Sequence, residues 1–405
     1  MSGSEHKALT TLGFDELARA TGGIGAIQQA ISGRVFRAVG PGAVLVRPIH
    51  SRVTRGVYAG LGASTRALGF VAGVAADRHA ARRRATGQPL ALPSATRGGA
   101  ALIGAITGLT GDALEEQGNP LAQPMAVRLG GEPVAVEPDA LAAAFPDATA
   151  QLVVFLHGLM ETEFSWGASE TYGTRLASEL GYTPVYVRYN SGLHISQNGR
   201  CLSELLEELV GAWPVEVERI ALVGHSMGGL VARSACHRGA TDGAAWAARV
   251  KQSVSLGSPH MGAPLEQAVH VLSAGLARLP ETRPVANFLR RRSGGIRDLR
   301  QGSLVDEDWS DCDPDALRAA ACAEVPLLEG ATHCFISATI TRSHRHPVGR
   351  LLGDTLVLRP SARGRSRTRR IPFEDEYGMH LGGAHHFALL NHPAVYDKLR
   401  AWLAA

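Results

Sequence analysis

Two short stretches carry residue types at spacings that can do chemistry. GHSMG, Gly224 to Gly228, holds a serine between two glycines in the pattern G-x-S-x-G. It follows the apolar run ERIALV and opens into GGLVARSA, which reads as a helix. A strand that turns straight into a helix strains the serine backbone and lifts its hydroxyl above the sheet, and small flanking residues let the chain pass. Ser226 is therefore a candidate nucleophile. GAHHFALLNHP, Gly383 to Pro393, crowds His385, His386 and His392 into one turn. Such a cluster can supply a catalytic base, a metal site, or polar residues at a helix start.

A serine hydroxyl needs a base to take its proton. Where the nucleophile sits on such a turn, acid and then histidine follow it in the chain. That order disfavours His225, on the elbow itself, and His260, which precedes any good acid position. His392 directly precedes Pro393 and reads as a helix cap. The spacing lacks His-x-x-x-His and has no cysteine or carboxylate inside the cluster, so no metal is expected. His385 and His386 remain, and spacing does not choose between them. The acid must orient the histidine and balance its charge. Asp354, in LGDTLVL, is the candidate; Glu374, Asp375 and Glu376 read as a solvated charge run, costly to bury. Backbone donors for an anionic intermediate are expected from Met227, after the nucleophile, and from Leu159, in the loop after FLHG. His157 reads as a ring bracing that loop.

These residues need a frame. From about residue 150, QLVVFLHG, TPVYVRYN, ERIALVGHS, VKQSVSLGSP and HCFISATIT are apolar runs, with amphipathic segments at 169–181, 198–213 and 228–240 between several of them. That alternation predicts an α/β fold, a doubly wound and mostly parallel sheet covered on both faces. Residues 262 to about 330 break the rhythm with helical patterns and read as a cap inserted over the strand C-termini. Residues 1–147 read as a helical N-terminal region, with weak strand alternation at 125–129 and 132–137. The sheet domain is expected over 148–405. In the closing helix Pro393 suits the first position, and Val395, Leu399 and Leu403 share a face.

Composition narrows the function classes. A net charge of +4 over 405 residues gives no footprint for nucleic acid. Only Lys7, Lys251 and Lys398 are lysines among 41 basic residues, so the basic runs at 78–84, 290–297 and 359–370 are arginine runs. Solvated faces are the plain reading of each. Five cysteines, widely spaced and without Cys-x-x-Cys, predict free thiols and a cytoplasmic protein. The first twenty residues lack a basic start followed by an apolar run, so no secretory signal is expected there. The Gly/Ala-rich stretches 58–76 and 98–111 read as closely packed soluble helices, with a membrane-surface role as the lesser alternative.

Taken together, FLHGL (155–159), GHSMGG (224–229), LGSPHMGAP (256–264), GDTLV (353–357) and HHFALLNHPAVYDKLRAWL (385–403) resemble the α/β-hydrolase superfamily. More narrowly they resemble bacterial lipases and esterases allied to GPI inositol-deacylase-like lipases. The resemblance spans about 150–405 and is weakest in the cap. It implies a serine ester hydrolase with a Ser226–Asp354–His386 triad. His386 is favoured over His385 because it directly precedes a hydrophobic residue, Phe387, that would anchor the turn. It implies no cofactor and a small-molecule or lipid ester as substrate. Leu272, Leu276, Leu279 and Phe288 in the expected cap suggest an apolar acyl group, or plain packing of cap on core. Thioesters and amides use the same machinery. The competing reading is a peripheral membrane or interaction protein on an incidental hydrolase fold, and an esterase working at a membrane surface combines the two.

Overall fold

The computed structural model describes residues 5–15, 17–19, 46–87, 91–167, 169–263, 292–310, 322–343 and 345–405. These divide into two compact units. One takes in residues up to Thr96 and 118–121; the second takes in 97–117 and the chain from 122 onward, apart from 269–291.

The first unit is helical. Residues 5–15 and 17–19 lie along the long helix α1 (Val46–Ala85). Close approach is made possible by glycine: a Cβ at Gly69 would stand 2.4 Å from Phe14 Cβ, and one at Gly73 2.7 Å from Thr11 Oγ1. The Glu5 carboxylate accepts from Ser94 N–H and Oγ at 3.1 and 2.9 Å. Within α1, Ala59–Arg83 is long and apolar enough to cross a membrane, and only 17% of that window is buried. Close packing, expected of 58–76, is therefore confined to one side, and Leu68, Phe70 and Val71 are exposed.

The second unit is built on an eight-stranded sheet. After helix α2 (Arg97–Glu116) come β1 (Ala126–Leu129), β2 (Glu132–Val134), β3 (Gln151–Leu156), α3 (Tyr172–Leu180), β4 (Thr183–Arg188) and α4 (Ile195–Ala212). Then follow β5 (Arg219–His225), α5 (Met227–Asp242), β6 (Val250–Leu256), β7 (Thr332–Thr339), β8 (Gly378–Gly382) and α6 (Pro393–Leu403). The strand order is β2-β1-β4-β3-β5-β6-β7-β8. β1 runs antiparallel to both neighbours; the remaining pairs are parallel. This is the expected doubly wound, mostly parallel sheet, and all five apolar runs of the sequence are strands in it.

The central strands are apolar along their length because helices cover both faces. Leu152, Val154, Leu156, Leu222 and Val185 join one core with Leu202, Leu206 and Leu209 of α4. Those α4 leucines recur at helical spacing, and burying each side chain contributes roughly 1.5–3 kcal/mol. On the other face Val153, Phe155, Val223 and Val254 pack against Val395, Leu399 and Leu403 of α6. His392 caps that helix, its Nδ1 accepting from Ala394 N–H at 3.2 Å.

The sheet unit begins at Arg97, not near 148. α2 and the hairpin β1–β2 belong to it, because β1 pairs with β4 and α2 packs on the loop that follows β4. β8 is an addition to the expected strands. GMHLG has no β-branched residue, and Gly378 is there because a Cβ would stand 2.3 Å from the Phe335 ring. Residues 264–291 and 311–321, most of the expected cap with Leu272, Leu276, Leu279 and Phe288, lie outside the described residues.

Candidate active site

The C-terminal ends of β3, β5, β6, β7 and β8 carry the five loops that hold the candidate residues. Ser226 directly follows β5 with φ 52° and ψ −119°, one of three non-glycine residues with positive φ among those described. Such a conformation costs on the order of 1–3 kcal/mol and persists only where the surroundings impose it. Here they do. Ser226 N–H donates to Leu256 O at 2.8 Å. A Cβ on Gly224 would stand 2.3 Å from Gly229 N, and one on Gly228 2.3 Å from Leu156 O. Both glycines of the motif are required by space.

His386 and Asp354 meet on the far side of β6. The turn after Gly353 places Asp354 fully inside the protein, where Oδ1 accepts from Leu356 and Val357 N–H at 3.0 and 2.8 Å. Its Oδ2 lies 2.8 Å from His386 Nδ1. A carboxylate oxygen only accepts, so Nδ1 carries a proton, and in the neutral ring Nε2 holds the lone pair. That Nε2 is buried and has no hydrogen-bond partner. The ring lies over Gly257, whose missing Cβ would stand 3.2 Å from His386 Cε1. Gly257 directly follows Leu256, the acceptor for Ser226 N–H, so the His386 ring and the elbow flank the same two residues. His385 is exposed, and it is His386 that meets the carboxylate. Phe387 does not anchor the turn by burial. It is 53% exposed and stands edge-on to the His386 ring, while Ala384, Leu389 and Leu390 fill the core beneath. Glu374, Asp375 and Glu376 are exposed, with Asp375 accepting from Arg363 and Arg365 at 2.8 Å.

Leu159 lies in the loop after β3, and Met227 follows the turn after β5. Among the described residues no acceptor engages the amides of Leu159 or Met227. Met227 opens α5, where the helix dipole favours negative charge. Gly158 lies against Ser226, a Cβ there standing 3.1 Å from Ser226 Cβ. The neighbouring Met160, at φ 63°, gives its N–H to Ser191 Oγ at 3.1 Å. His157 braces the loop: Nδ1 donates to Gly158 O at 2.8 Å, Nε2 accepts from Tyr189 N–H at 3.2 Å, and the ring stacks on Tyr189. Burial holds this ring below the ordinary histidine value and therefore neutral, against a weaker upward pull from Gly158 O and Glu161.

Sequence reasoning gave no role to Glu161 and no mechanism to YNSGLHISQNGR. Asn190 to Gly192 form a seat for α2. Asn190 Nδ2 donates to Gly111 O at 3.0 Å, and built Cβ atoms at Gly108 and Gly111 would stand 2.4 and 1.9 Å from Met160 Cγ and Asn190 Oδ1. The Gly/Ala-rich stretch 98–111 thus packs closely, against the loops beside Ser226. Among the described residues, no cluster of histidine, cysteine or carboxylate side chains has metal-binding geometry, and Cys201, Cys236, Cys322 and Cys334 are free thiols.

Residues 193–310 match the PGAP1-like alpha/beta domain family. The match takes in the GHSMG elbow and ends before Asp354 and His386. No curated protein matches the chain. Among solved structures the chain is similar to a Bacillus licheniformis lipase in its mature form, at 19% identity and a TM-score of 0.44, covering 70% of this chain and 100% of that one. With the propeptide form of that lipase the figures are 20% and 0.42, covering 63% and 50%. An esterase of the archaeon Pyrobaculum calidifontis gives 17% and 0.35, covering 63% and 74%.

Proposed function

We propose that the protein is a serine hydrolase of carboxylic esters that works through an acyl-enzyme. Ser226 Oγ attacks the ester carbonyl while His386 Nε2 takes its proton. Asp354 holds the imidazole by Nδ1–H and stabilises the cation that forms. The amides of Leu159 and Met227 receive the oxyanion. The alcohol leaves with the proton from His386, and water then attacks the acyl-enzyme by the same route. One observation carries this reading: a buried histidine oriented by a buried carboxylate, with Nε2 left unpartnered, in the same fold unit as a serine held at positive φ on a strand-to-helix turn. The exposed ring of Phe387 next to His386 favours an apolar acyl group. Thioesters and amides remain substrates for the same groups.

A second reading rests on the exposed apolar segment Ala59–Arg83 of α1. It makes the protein a cytoplasmic esterase that acts while peripheral to a membrane, on a lipid ester. The test is labelling by a fluorophosphonate probe, followed by a p-nitrophenyl ester series of increasing acyl length. Wild type is expected to label and to turn over, and Ser226→Ala to do neither while staying folded. A folded wild type that neither labels nor cleaves any ester or thioester would falsify the enzyme reading.

A further inference from the structure

We propose that Glu161 is a positioning residue that, with His225, ties together the loops carrying the oxyanion donors, the nucleophile and the base. The inference rests on the ester-hydrolase reading above and names a device within that site. Glu161 lies two residues after Leu159, and its Oε2 accepts from Gly158 N–H at 2.8 Å. Both of its carboxylate oxygens lie 3.0 Å from His225 Nδ1. His225 is the residue before Ser226, and its Nε2 lies 3.3 Å from the carbonyl oxygen of His386. The His225 and His386 rings are 4.7 Å apart. One carboxylate and one imidazole therefore span β3, β5 and the loop before α6.

The partners fix the protonation state. A carboxylate and a backbone carbonyl only accept, so both nitrogens of His225 must donate. The fully buried ring is then an imidazolium, and Glu161 is its counter-ion. A buried charge persists only when paired and hydrogen-bonded, and breaking such a pair leaves the other charge uncompensated. The balance of forces agrees. Burial, the largest single influence, pulls His225 down, yet Glu161, the His386 carbonyl and Asp354 together hold the ring above the ordinary histidine value. Burial, the largest single influence, pushes Glu161 up, yet His225, the Gly158 N–H and His157 together hold the carboxyl below the ordinary range. The strut touches none of the reacting atoms; it sets the spacing of the loops that carry them.

Two substitutions separate reach from charge. In Glu161→Gln the amide oxygen still accepts from Gly158 N–H, and the amide NH₂ donates to a neutral His225 Nδ1. His225 then keeps Nε2–H for His386 O, so the network is complete without charge. Glu161→Asp keeps the charge but is one methylene too short to reach Gly158 and His225 together. Holding reacting groups within about 1 Å is worth on the order of 10² in rate. The expected result is a loss of kcat of about 10² in Glu161→Asp, with KM changed by less than about threefold. Glu161→Gln should lose about tenfold or less. The rate of fluorophosphonate labelling should follow kcat in both. If Glu161→Asp labels and turns over as well as or better than Glu161→Gln, the positioning role is overturned. If both variants match wild type, it is overturned as well. Circular dichroism and a thermal melt confirm that each variant is folded. A wild type that fails to label strikes the ester-hydrolase reading itself; a labelled wild type with the wrong variant order strikes only the strut.

Discussion

Gly192→Ala is the most informative single change outside the triad. Gly192 has no unusual φ, so backbone strain is not the issue; space is. A Cβ there would stand 2.1 Å from Thr107 O, 2.6 Å from Gly111 N and 2.8 Å from Gly111 Cα. All three are backbone atoms of α2, so no side chain can swing aside. Reaching ordinary contact requires α2 and the Asn190–Gly192 loop to part by about 1 Å or more, and forced repacking of this kind costs about 1–3 kcal/mol. The loop cannot move alone. Ser191 Oγ holds Met160 N–H, next to the Leu159 donor, and Gly295 N–H donates to Gly192 O at 3.1 Å. A shift of about 1 Å in the donors should lower kcat by on the order of 10², with KM nearly unchanged. Steady-state hydrolysis of p-nitrophenyl butyrate and a thermal melt measure both effects. Gly211→Ala is the control, because a Cβ there meets nothing within 4 Å. It should stabilise by up to about 1 kcal/mol through helix propensity. Gly192→Ala with wild-type kcat and melting temperature refutes the seating of α2. Lost stability at full kcat refutes the link from this loop to the donors.

Other substitutions test the remaining parts. Asp354→Asn and His386→Ala should each lower kcat by about 10⁴, whereas His385→Ala, on an exposed side chain, should cost far less; one activated ester decides among them. The Glu161–His225 pair has a pH signature. His225 is raised from 6.5, so its contribution is full below that value and is lost as pH rises through the raised value. Glu161 is lowered from 4.5, so its share is full above that value and is lost as pH falls through the lowered one. The gap in melting temperature between wild type and Glu161→Gln should therefore be widest between about pH 5 and 6.5 and narrow at higher pH. A fragment of residues 97–405 should fold, while 148–405 should be insoluble, because it lacks β1, β2 and the helix seated on Gly192; soluble expression and circular dichroism distinguish them.

The sheet and the elbow were legible because their physics is local. A buried strand is a run of apolar residues, and a tight elbow needs glycines on both sides of its serine. The histidine was harder. Two adjacent residues differ only in which one turns toward Asp354, and that is set by the turn after Gly353 and by the space over Gly257. Glu161 was silent for the same reason: its partners Gly158 and His225 lie 3 and 64 residues away, and no periodicity links them. Residues 98–111 showed small side chains plainly but not what they pack against. The target is the backbone at Thr107 and Gly111 meeting Gly192, a contact between main chains that side-chain pattern does not encode.

The two ends of the sheet bear on how copies of this protein meet. Free strand edges invite pairing with another chain, and short strands, proline and charge blunt them. At one end β2 is three residues long, with Glu132 and Pro133, and Pro133 has no N–H to offer. At the other end β8 is five residues long and bounded by glycines. Neither end presents a long ladder of free donors and acceptors. Among the described residues, intermolecular sheet growth is thereby disfavoured at both margins.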